Sequence, residues 1–93
     1  MTKEMANEIR KVLKQNGWKG QMVYRNPEQI FRIEVNVYYD NTYSEKKEAI
    51  EKATKQSIHK VLVILQNNGF RPRFEIEHRR FQGFINVICL KFR

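Results

Sequence analysis

Residues 13–24, LKQNGWKGQMVY, and residues 65–76, LQNNGFRPRFEI, run through one pattern 52 positions apart, and that pattern decides the fold. In each, a leucine and an Asn-Gly pair close a helical stretch, because glycine enters the left-handed conformation that ends a helix. An aromatic residue follows, Trp18 or Phe70, and strand-like alternation begins. Two units of the same kind are therefore expected, each a helix followed by two strands.

Upstream of the first stop, Met5, Ile9, Val12 and Leu13 recur at helical spacing among charged residues, which predicts an amphipathic helix. Downstream, Gln21 to Arg25 alternates, Asn26-Pro27-Glu28 reads as a turn, and Phe31 to Tyr39 is rich in β-branched and aromatic residues. In the second unit Thr42 stands three residues before Glu45, the spacing of a capping box, so a long helix is expected to begin there. Its apolar stripe is Ile50, Ala53, Ile58, Val61, Leu62 and Leu65. Phe70 to Arg79 and Phe84 to Phe92 then read as a hairpin joined through Arg80-Phe81-Gln82-Gly83.

The same ungapped offset pairs Ile33 with Ile85, Val35 with Val87 and Val37 with Cys89. The expected fold class is thus α+β: a duplicated αββαββ chain, with an internal pseudo-repeat of residues 1–41 and 42–93 forming one domain. Both helices should pack on one face of a four-stranded antiparallel sheet. The order resembles a circularly permuted ferredoxin-like fold, in which the second and fourth strands lie side by side at the centre. The nearly continuous apolar run of Phe84 to Phe92 suits a central strand.

If Ile33, Val35, Val37, Phe74, Ile76, Ile85, Val87 and Cys89 face the helices, alternation sends their neighbours to the opposite face. Those neighbours are Gln21, Val23, Arg25, Arg32, Glu34, Asn36 and Tyr38, then Arg73, Glu75, Glu77, Arg79, Phe84, Asn86, Ile88, Leu90 and Phe92. The greasy part, Phe84, Ile88, Leu90 and Phe92, is expected to carry self-association, so that the protein is a homodimer.

The 93 residues hold 18 Lys and Arg against 10 Asp and Glu, a formal net charge of +8. A polyanionic partner follows as the leading expectation. The densest group of candidate phosphate contacts is Arg71, Arg73, Arg79 and Arg80 at the two ends of the third strand, with Lys19 beside the first helix stop. The second helix mixes Lys46, Lys47, Lys52, Lys55 and Lys60 with Glu45, Glu48 and Glu51, the composition of a solvated surface. The strands lack the aromatic signature of an RNA-recognition motif.

Catalysis finds little support. Cys89 is the only cysteine, and His59 and His78 stand far apart in sequence, so neither a disulfide nor an ordinary structural zinc site is expected. Cys89 reads as a small buried hydrophobe, and the four glycines read as stops and turns. No apolar run approaches bilayer length and the N-terminus lacks a signal-peptide core. A cytoplasmic location is expected, with no cofactor and no metal.

The αββαββ order is similar to that of the LAGLIDADG homing endonucleases, which read DNA with their sheet face. The resemblance covers topology alone: the LAGLIDADG stretch and its acidic residue are missing, so it does not imply metal-dependent cleavage. The expected function is a small, basic, non-enzymatic binding protein that contacts nucleic acid or a nucleoprotein complex, of the kind a phage or mobile element carries as an accessory. The alternative is a protein–protein adaptor or inhibitor that binds an acidic protein surface.

Overall fold

The computed structural model describes all 93 residues. Helix α1 spans Lys3–Gln15, strand β1 Met22–Arg25, strand β2 Ile30–Tyr39, helix α2 Asp40–Asn67, strand β3 Phe74–Phe81 and strand β4 Ile85–Phe92. All pairings are antiparallel, in the order β1-β2-β4-β3. The fold is therefore α+β, with both helices against one face of a four-stranded sheet and β2 and β4 at its centre.

The two helix ends match bond for bond. Gly17 and Gly69 take φ of +80° and +82°. Trp18 N donates to Leu13 O and Phe70 N to Leu65 O, each at 2.9 Å, while Gly17 N reaches Lys14 O and Gly69 N reaches Gln66 O, each at 3.1 Å. Asn16 and Asn68 each turn their side-chain amide back to the carbonyl four residues earlier, at 2.8 Å. This is the Schellman arrangement, and it points the aromatic residue after each glycine back at the core.

Helix α2 starts two residues before Thr42, directly out of β2 and with no intervening loop. The expected capping box does not form. Thr42 Oγ1 instead donates to Tyr39 O at 2.8 Å, and Asp40 N donates to Phe84 O at 3.0 Å, so the carbonyl just before β4 satisfies one of the first-turn amides that have no partner within the helix. The first turn then joins the rest of the helix through a kink at Lys46.

The core gathers Ala6, Ile9 and Leu13 from α1, Val61 and Leu65 from α2, and Phe31, Ile33, Val35, Ile88, Leu90 and Phe92 from the sheet. Two of the expected faces need correction. In β2, Glu34 pairs with Cys89 and Asn36 with Ile88, so Val35 is the extra residue of a β-bulge. Beyond it the strand's sides exchange: Asn36 and Tyr38 face α2, and Val37 turns outward, 43% exposed. In β4 the whole face is the reverse of the expectation. Ile88, Leu90 and Phe92 are at most 4% exposed and form the floor of the core, whereas Ile85, Val87 and Cys89 point to the open face.

Of the expected self-association group, only Phe84 is exposed. The 52-residue offset holds through the helix stops and into β1 and β3, where Met22 and Phe74 both lie on the helix side. It fails beyond the turns because the two hairpins differ in length, four residues in β1 against eight in β3. A shift of one residue is enough to swap the sides of a strand.

Candidate functional site

The pairing register orders the open face into rows that cross the sheet. At one end Val23, Arg32, Lys91 and Glu75 stand side by side. Arg25 lies beyond Val23 on the same side, and Arg73 and Arg93 share a hollow with Lys91 and Glu75. The next row holds Glu34, Cys89 and Glu77. Past the bulge come Val37, Val87 and Arg79, and finally Tyr39, Ile85 and Phe81. The face thus grades from charged to apolar along the strands.

Six cations occupy it, Arg25, Arg32, Arg73, Arg79, Lys91 and Arg93, against the carboxylates of Glu34, Glu75 and Glu77. Glu77 is the hub. Its Oε1 accepts from Arg32 Nε at 2.7 Å, its Oε2 lies 3.1 Å from Lys91 Nζ, and Arg79 Nε stands 3.9 Å away. The Arg32 hydrogen bond, with Lys91 beside it, holds the Glu77 carboxyl down at about 2 against the opposing effect of burial. Glu75 takes Arg93 at 3.5 Å, and Arg25 forms no ion pair.

At the apolar end the rings of Tyr39 and Phe84 stack with centroids 6.2 Å apart and planes 18° from parallel, and each is about half exposed. Phe81 is 46% exposed and carries the Arg79 guanidinium over its face at 5.6 Å. Between the two ends, Gln21, Val23, Arg25, Arg32, Glu34, Arg79 and Phe81 surround a shallow hollow of about 440 Å³ floored by Ile85, Val87 and Cys89. The Cys89 thiol is raised above its ordinary value, first by burial and then by the charges of Glu34 and Glu77, so it stays protonated and is a poor nucleophile.

The five expected phosphate contacts do not form one cluster. Arg73, just before β3, and Arg79 within it share the open face but stand six residues apart, about 20 Å along an extended chain. Arg80 turns to the helix side, where it pairs with Asp40 at 2.9 Å beside the amide of Asn86. Arg71 lines a hollow with Leu62, Phe70 and Phe74 on that same side. Lys19 lies across the sheet, in a hollow it shares with Lys60 and the bulged segment of β2.

Lys91, Arg93, Tyr39 and Phe81 were not among the expected contacts. The signal for Lys91 is its position: it is the only charge inside β4, and a charge on a central strand marks the side that is not core. His59 and His78 belong to no group of three or more metal-ligating side chains. No helix is long and apolar enough to cross a membrane. No protein family, curated protein or solved structure matches this chain.

Proposed function

We propose that the protein is a non-enzymatic nucleic-acid-binding protein that receives a single strand on its open sheet face. The observation that carries this reading is the pairing, on one surface, of exposed rings with a surplus of cations: Tyr39, Phe81 and Phe84 beside Arg79, grading into Arg32, Arg25, Lys91, Arg73 and Arg93. Rings offer stacking surfaces that tolerate any base, and guanidinium groups pair with phosphates bidentately. An open sheet accepts a splayed strand more readily than a duplex, whose bases are already stacked. Among these cations Arg25 has no carboxylate to release, and Arg79 is held only loosely.

A second reading is favoured by Val37, Tyr39, Phe81 and Phe84, which together make an apolar patch fit for a protein partner with an acidic rim. Oligonucleotides of unrelated sequence separate the two, because only the first reading predicts that they bind, with an affinity that falls steeply with salt. Titrating a labelled single-stranded oligonucleotide of mixed sequence, its duplex, and an acidic protein at two salt concentrations tests the reading. Tighter single-strand binding that falls with salt supports it, and no oligonucleotide binding at low salt contradicts it.

We also read the chain as a duplicated αββ unit in a permuted ferredoxin-like arrangement. The matching helix stops 52 residues apart support this, as does the strand order, which is that of a ferredoxin-like sheet with its first strand moved to the C-terminus.

A further inference from the structure

We propose that the outer edge of β3 pairs antiparallel with β3 of a second copy, joining two sheets into one of eight strands. The two edges of the sheet differ. Strand β1 is only four residues long and ends at Arg25, two residues before Pro27, whereas β3 runs for eight residues with no proline, no bulge and no element beyond it. The helix layer also stops short of β3, leaving Phe74 40% and Ile76 52% exposed on the side where the other strands are covered. Edges this long are normally blocked.

The charge order of β3, FEIEHRRF, selects the partner. Its acidic residues precede its basic ones, so a copy running the opposite way brings unlike charges together. Antiparallel pairing must also oppose residues that point their backbone groups, and their side chains, the same way. That leaves registers in which the two opposed residue numbers are both odd or both even.

With His78 opposite His78 of the second copy, Glu77 faces Arg79 of the second copy, and Arg79 faces its Glu77. Shifting by one step puts Glu77 against Glu77 in one direction and Arg79 against Arg79 in the other, so of these three registers this one avoids like charges on the open face and pairs all of Ile76 to Arg80. It also lays Ile76 along the stem of Arg80 of the second copy, covering part of the exposed apolar surface. The two open faces then lie on one side of a continuous sheet. The inference does not depend on what that face binds.

The test is sedimentation of the wild-type protein without nucleic acid, combined with oxidation of single-cysteine variants in a Cys89→Ala background. Directly opposed strand residues stand about 5 Å apart, within disulfide reach, whereas positions two residues from the axis are separated from their own counterparts by far more. The wild type is expected to sediment at twice its 11.3 kDa chain mass. His78→Cys should cross-link to itself, and Ile76→Cys and Arg80→Cys should cross-link only when mixed. Arg79→Glu should weaken the dimer by about tenfold or more. A monomer at every concentration overturns the inference, and so does a dimer that cross-links equally at all three positions or ignores Arg79→Glu.

Discussion

Arg32 on β2 and Glu77 on β3 meet at 2.7 Å although β4 runs between them, so their ion pair straddles the central strand. Lys91 of β4 joins the same carboxylate from below. The three side chains are between 13% and 23% exposed, and their roof helps keep Cys89 buried on a face that has no helix over it. The bridge fixes the spacing of β2 and β3, and with it the arrangement of cations on the open face.

Replacing Glu77 with Gln should lower stability by about 1 kcal/mol, a figure reduced from the full linkage value because the group is partly solvated. The folded carboxyl titrates near 2, below its ordinary value of 4.5. A depressed acid contributes stability that is present above 4.5 and is lost as pH falls toward 2. Melting temperature in that window should therefore decline more steeply for the wild type than for Glu77→Gln.

The straddling bridge also predicts the chemistry of Cys89. In the native protein it should react with a thiol reagent only at the rate of opening, and Arg32→Ala should speed that reaction without changing the rate measured in denaturant. Equal native rates for the two proteins would contradict the roof.

The reversed face of β4 is checked by stability. Leu90→Ala should cost about 2–5 kcal/mol, as for other fully buried leucines, while Phe84→Ala should cost less than about 1 kcal/mol. Urea denaturation of the two variants gives the comparison, and similar losses would restore the opposite register.

What the sequence disclosed and what it concealed have separate physical causes. The helix stops were legible because each Asn-Gly follows a stretch of helical periodicity, where a glycine in the left-handed conformation ends the helix, and the Schellman bonds follow from it. The central place of the most apolar strand was legible too, but the order of the four strands was not, because alternation within a strand does not name its neighbours. The side of β4 was not, because Phe84 to Phe92 is apolar on both sides and only Asn86 and Lys91 break it, one on each face. The bulge at Val35 was concealed for a different reason. Asn36 is satisfied by Thr54 Oγ1 and Ile50 O, partners 18 and 14 residues away on α2, and alternation cannot see a bond of that range. As a result, exposed apolar area was anticipated on the open face but attributed to the wrong residues.

That buried pair is itself testable. Thr54→Val keeps the shape but removes the hydroxyl that Asn36 Nδ2 meets at 2.8 Å. Leaving the amide short of a partner should cost about 1–3 kcal/mol, measured by thermal or urea unfolding.

Gly20 is fixed by space. A Cβ there would stand 2.6 Å from Trp18 Nε1 and closer still to Glu34 O, which is backbone and cannot move aside. Gly17 has open space but a φ of +80°. Gly20→Ala is expected to destabilise by more than the about 1 kcal/mol expected of Gly17→Ala.

The central claim is that nucleic acid lies on the open face, and the most direct measurement compares two charge-reversed proteins of equal net charge. Arg25→Glu with Arg79→Glu alters the open face, while Arg71→Glu with Arg80→Glu alters the helix side. Binding of a labelled single strand should fall by more than about tenfold in the first and much less in the second, with a shallower salt dependence only in the first. Equal losses in the two proteins, or a greater loss in the second, would contradict the account.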